Sequence, residues 1–145
     1  MSKFTIYHDL TIKAFPTKVF DGISNPVLLD EWWTETCKGN ASIGAEYELG
    51  FTQNCVWHAK VTNLKPNQEF ELQIFNSHED WDDTMVGFVL EDKGDLTKLS
   101  FYHSEWKNQN EHFRISSYCW AVYLRILKGY LEKGIQVPYA ERDNV

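Results

Sequence analysis

The imidazole side chain titrates close to neutral pH, so histidines on the apolar side of a strand are this chain's first candidates for moving a proton. His8 alternates in step with Phe4, Ile6, Leu10 and Ile12, and His103 in step with Leu99 and Phe101. Glu105 follows two residues along the face of His103, and Tyr47 keeps the same company with Leu49 and Phe51. A polar group turned into a core must find a partner or a ligand, because an unsatisfied one is costly. His8 and His103 are therefore either the polar end of a pocket or core histidines satisfied by nearby hydroxyls or by Glu105. A metal would need a third ligand at compatible distance, and the local run His78-Glu79-Asp80 lies in an acidic stretch apart from these strands, so no metal site is expected.

Enzyme signatures do not add to these candidates. The sequence holds no G-x-S-x-G elbow, P-loop, dinucleotide fingerprint or H-E-x-x-H. No catalytic residue and no cofactor are assigned. The net charge of −7 and the absence of a Lys/Arg stripe make nucleic acid an unexpected partner. Cys37, Cys55 and Cys119 are odd in number and form no C-x-x-C pair, which argues for reduced thiols rather than a disulfide framework. The N-terminus lacks a signal-peptide core and no apolar run approaches the ~18 residues of a membrane span, so a cytoplasmic protein without membrane insertion is expected.

The elements that must hold these residues are marked by period. Phe4–Ile12 alternates as a strand. Pro16 opens a short helix with Val19, Phe20 and Ile23 inward, and Asn25-Pro26 breaks it before a second helix, Val27 to Trp33. Strands follow through Tyr47–Phe51, Trp57–Val61, Phe70–Ile74, Thr84–Leu90 and Leu99–Trp106, with short polar connections that imply antiparallel order. The stretch Asn76–Asp83 reads as an exposed acidic loop, and Trp81 within it as an aromatic available to a partner. The last element is a long helix from Asn108 to Lys133, with Asn108 and Glu111 as a capping box and Gly134 as a left-handed C-cap. Phe113, Ser117, Trp120, Leu124, Leu127 and Leu131 form its apolar seam, and Ser116, Cys119, Tyr123, Ile126 and Tyr130 widen it beyond the ~100° that one flat packing surface needs. Leu124, Leu127 and Leu131 would anchor the helix, while Ser116, Trp120 and Tyr123 would border a pocket.

Two stretches carry a resemblance. The run from Pro16 to Trp33, with Val19, Phe20, Ile23, Ser24, Asn25, Pro26, Trp32 and Trp33 in place, resembles the entry segment of the START-like (SRPBCC) superfamily, in the branch related to the activator of the heat-shock-protein-90 ATPase. The run from Trp120 through Tyr123 to Gly134 is similar to that branch's closing helix. The resemblance implies one α+β helix-grip domain over residues 1–145, in which a curved antiparallel sheet of about six or seven strands wraps the long C-terminal helix, with two short helices after the first strand. It also makes the first and last strands neighbours, which would put His8 beside His103.

In that family the space between sheet and helix is commonly a hydrophobic cavity. The expected function is thus the binding of an apolar or amphipathic small molecule (a lipid, sterol or polyketide) by Tyr47, Trp57, Phe88, Phe101, His103, Trp120 and Tyr123, with His8, Glu105 and Ser116 as further polar contacts. Trp32 and Trp33 would gate the cavity or pin their helix to the sheet. The resemblance also implies an alternative, an interaction protein for a chaperone or stress-response partner. A second alternative is a cyclase-like enzyme using the pocket histidines.

Overall fold

The computed structural model describes residues 3–145. Its strands are β1 (Phe4–Ile12), β2 (Thr36–Lys38), β3 (Glu46–Phe51), β4 (Cys55–Lys65), β5 (Glu69–Phe75), β6 (Met85–Asp92) and β7 (Thr97–Trp106); its helices are α1 (Pro16–Ser24), α2 (Pro26–Leu29) and α3 (Glu111–Lys133). The strands make one antiparallel sheet in the order β1-β7-β6-β5-β4-β3-β2. The alternation read from the sequence is realised as burial. In β5, Phe70, Leu72 and Ile74 are sealed while Glu69, Glu71 and Gln73 stay partly wet, as a sheet with one covered face requires.

The covering element is α3. Leu124, Leu127 and Leu131 are buried against the core, each contributing roughly 1.5–3 kcal/mol of burial free energy. A charged clamp holds the same half of the helix to the end of β1. Lys128 Nζ donates to the Thr11 carbonyl and lies 2.6 Å from Glu132 Oε2, which in turn accepts the Lys13 backbone N–H at 2.8 Å. The helix begins later than its sequence suggests. Residues 107–110 are spent on leaving β7, and Asn110, not Asn108, is the N-cap, its Oδ1 accepting the Phe113 N–H at 3.0 Å. The C-terminal expectation holds. Gly134 adopts φ +67° and donates to the Tyr130 carbonyl at 2.9 Å, a conformation that costs glycine little.

Two other local readings change. The second short helix ends at Leu29, whose carbonyl accepts the N–H groups of Trp32, Trp33 and Thr34 in a closing turn. In β7, Phe4 stands opposite Trp106 but Ile6 opposite His103, so one extra residue is held in the β7 strand. Glu105 takes that place at φ +68°. The bulge resets the alternation: Glu105 turns out to solvent and Trp106 turns in, with 1% of its surface exposed. Glu105 is therefore not an inward polar group.

After α3 the chain doubles back through a 3-10 turn, Tyr139–Asn144. Arg142 is buried there, donating from Nε to the Val137 carbonyl at 3.2 Å, from one terminal nitrogen to the Thr34 carbonyl at 3.1 Å, and from the other to the Asp30 carbonyl. The Tyr139 hydroxyl meets the backbone N–H of Thr52 at 3.1 Å. This tail straps the turn after α2 to the β3–β4 connection.

Candidate functional site

Helix α3 lies toward β1 on one flank. On the other, a cleft-like cavity of about 220 Å3 separates it from β3 and β4. Six α3 residues line it, His112, Ile115, Ser116, Cys119, Trp120 and Tyr123, at steps of three and one that place them on a single stripe of the helix. The facing wall is Phe51, Cys55 and Trp57 from β3 and β4, with Trp33 from the turn after α2 and Trp81 from the loop before β6. The rings are in mutual contact: Trp33 and Trp120 centroids lie 5.0 Å apart, Trp57 and Trp81 5.0 Å, Phe51 and Trp57 5.5 Å. Such tilted and edge-on pairs add attraction beyond area burial. Polar atoms are few. Ser116 Oγ accepts the Trp81 indole N–H at 3.2 Å and retains its own O–H as a donor. Burial pushes the Tyr123 phenol up to about 12 and also raises the Cys119 thiol, with the charge of Asp143 adding to both, so both groups are held protonated at neutral pH.

Directly behind the cavity wall runs a buried chain of hydrogen bonds whose directions are fixed by chemistry. Indole nitrogen only donates, so Trp120 Nε1–H, 3.0 Å from His103 Nδ1, makes that nitrogen the acceptor. The His103 proton then sits on Nε2 and is given to Thr84 Oγ1 at 2.8 Å, and the Thr84 hydroxyl donates to the Trp81 carbonyl at 2.5 Å. Both ring nitrogens are engaged and the residue is fully buried. Burial drives its pKa down to about 3. His103 is a neutral strut that holds Trp120 and, through Thr84, Trp81 in place.

The family model for Activator of Hsp90 ATPase homolog 1-like protein matches residues 13–132. The chain belongs to this family. Among solved structures, the Aha1 dimer of Colwellia psychrerythraea is 32% identical, with a TM-score of 0.81 over 90% of this chain and 98% of that one. Protein MLL2253 of Mesorhizobium loti superposes with a TM-score of 0.82 at 19% identity, over 91% of this chain and 99% of that one. CalU16 of Micromonospora echinospora does so with a TM-score of 0.73 at 18% identity, over 95% and 82%. The last two likenesses speak to the fold alone. No curated protein sequence matches the chain. The helix-grip architecture expected from the two terminal motifs is thus shared with the family, including the two short helices after β1 and the long closing helix.

Within this AHSA1-like chain the residues singled out from sequence divide into three groups. Trp33, Trp57, Ser116, Trp120 and Tyr123 come together on the cavity. Tyr47, Phe88, Phe101 and Trp32 are sealed in the core away from it. Tyr47 donates its hydroxyl to the Ser24 carbonyl at 2.5 Å, and Trp32 pins the turn after α2 through an indole bond to the Gly22 carbonyl at 2.9 Å. The tryptophan pair therefore splits its work, one ring pinning and one lining.

His8, His103 and Glu105 do not reach the cavity. β1 and β7 are neighbours as expected, but His8 stands opposite Phe101, and its Nε2 donates to the Ser117 carbonyl at 3.0 Å on the β1 flank of α3. The two histidines do not form a pair. Trp81, expected to be exposed, is 7% exposed and contacts Trp57, His103, Trp106 and Trp120. Its loop composition concealed this, whereas His112 and Ile115 follow from extending the Ser116–Tyr123 stripe backwards by helical steps, and Cys119 lies within that stripe.

Proposed function

We propose that this chain binds a small, largely apolar molecule in the cavity between α3 and the β3–β4 wall. The observation that carries the reading is an aromatic-walled cleft of about 220 Å3 with only a few polar atoms, among them Ser116 Oγ and the Tyr123 hydroxyl. That volume lies above the ~150 Å3 of a cavity that admits benzene and below the ~300–1,000 Å3 of pockets for drug-sized ligands. A single aromatic ring or a short acyl chain with one hydrogen-bonding end is the matching class; a four-ring sterol or a large polyketide exceeds it. Isothermal calorimetry and two-dimensional NMR with a panel of simple phenols, aromatic acids and short fatty acids test the proposal. Saturable shifts of the Trp33, Trp81 and Trp120 indole signals are expected, abolished by Cys119→Phe, which fills the cleft. A panel that leaves those signals unmoved sinks the idea.

A second reading rests on the 32% identity to the Colwellia Aha1: action on a chaperone partner. An effect of the purified chain on the ATPase rate of an Hsp90 protein would support it. Unchanged ATPase rates, together with no chaperone retained in a pull-down, would remove it.

A further inference from the structure

Among the described residues, one group of histidines and carboxylates converges outside the hydrogen-bonded core: His78, Asp80 and His112. The sequence places the first two in the acidic loop before β6 with no third ligand at hand. The fold supplies it, because the first turn of α3 carries His112 over that loop. His112 Nδ1 lies 2.9 Å from Asp80 Oδ2, and His78 Nδ1 lies 3.7 Å from the same oxygen. The candidate ligand atoms all fall within 4.8 Å of one another. Ligands bound ~2.0–2.1 Å from a tetrahedral zinc ion sit roughly 3.3 Å apart, so two of these spacings bracket the value and a small closure of the loop supplies the third.

Hydrogen bonds already draw the three groups together. The backbone N–H of Asp80 donates to His78 Nδ1 at 3.0 Å, so that nitrogen is unprotonated but its single lone pair is engaged, and it turns to a cation only when this bond is given up. Asp80 Oδ2 accepts from His112 Nδ1 at 2.9 Å and from Asn110 Nδ2 at 3.4 Å, so the carboxylate sits at the positive end of the α3 dipole. The two imidazoles meet edge to face at 4.7 Å, with Asp80 between them in hydrogen-bonding terms.

We infer that His78, Asp80 and His112 form a binding site for a divalent first-row transition ion such as zinc. The ion takes the place of the Nδ1 proton that His112 now gives to Asp80, and the neutral imidazole then carries its one proton on Nε2, the other tautomer. Three protein ligands leave at least one coordination position open. Because His112 also lines the cavity, the ion stands at its rim and fastens the loop that carries Trp81 to the start of α3.

The test uses the full chain after dialysis against chelator, titrated with Zn2+ by calorimetry and with Co2+ by visible absorption. One ion per chain is expected, with cobalt d–d bands of low symmetry and a rise in thermal midpoint on adding zinc. His78→Gln, Asp80→Asn and His112→Gln should each weaken binding by at least the roughly 10–100-fold that even outer-shell changes produce. His78 is exposed, so the His78→Gln variant is expected to fold normally and keep its metal-free midpoint while losing the zinc-dependent rise. Absence of binding at millimolar metal, binding that survives all three substitutions, or thiolate-to-cobalt charge-transfer bands pointing to Cys55 or Cys119 would each overturn the assignment.

Discussion

His103 shows how a residue suited to acid–base chemistry is diverted to structure. Its neutral form is required, because Trp120 can only donate to it and both ring nitrogens are used. In the unfolded chain it takes up a proton near the ordinary value of 6.5, while the folded chain resists protonation down to about 3. The unfolded state therefore binds the extra proton across that window, and the stability this group protects is present above pH 6.5 and lost as pH falls below it. The loss reaches about 2 kcal/mol at pH 5. Urea unfolding of wild type and His103→Gln at about pH 7.5 and about pH 5 checks this. The substitution should lower stability at the higher pH, through its broken hydrogen bonds, and narrow the wild-type loss between the two by about 2 kcal/mol; an unchanged pH dependence would refute the burial argument. Sequence alternation correctly turned His103 inward. It could not show that an indole, a hydroxyl and a carbonyl would consume its hydrogen-bonding capacity.

At the scale of elements, the ends of strands and helices are where the reading of the chain slipped, because one residue decides each of them. The bulge at Glu105 is the clearest case. A left-handed residue in β7 shifts the pleat by one position, exchanging an expected inward carboxylate for an inward indole. Glu105→Gly should be nearly neutral, relief of the left-handed cost being offset by chain entropy, whereas Glu105→Val should destabilise by roughly 1–2 kcal/mol because a β-branched residue tolerates that backbone poorly. Thermal melts of the two variants separate these outcomes. For α3, Asn110→Ala should cost about 1 kcal/mol through loss of the cap on the Phe113 N–H, and Asn108→Ala almost nothing; equal losses would show that the helix starts where its sequence first suggests. Interior periodicity was dependable by contrast. The leucine seam of α3 and the inward triplet of β5 follow from spacing alone, since burial of a whole face averages over many residues.

Across the whole molecule, the C-terminal strap joins parts that are distant in sequence. Arg142 satisfies the carbonyls of Asp30, Thr34 and Val137 with its guanidinium fork, a geometry that an ammonium cannot reproduce. Arg142→Ala should cost roughly 2–3 kcal/mol, and Arg142→Lys should recover little of it; full recovery in a denaturation series would mean that charge alone matters. A fully buried arginine near a chain end has no periodic signature, which is why this strap was illegible before the fold was known. The aromatic wealth of the sequence, in turn, suggested either a bulky core or a lined cavity, and the molecule uses it for both. All six tryptophans form one connected set: ring centroids run from Trp32 to Trp33, Trp120 and Trp81, from which Trp57 and Trp106 both branch, at separations of 5.0 to 6.2 Å. Electronic excitation absorbed at any of these indoles migrates among them before it is emitted, so the protein behaves optically as a single antenna. A quencher lodged against Trp120 should darken the emission of the entire chain, including light absorbed by rings it never touches.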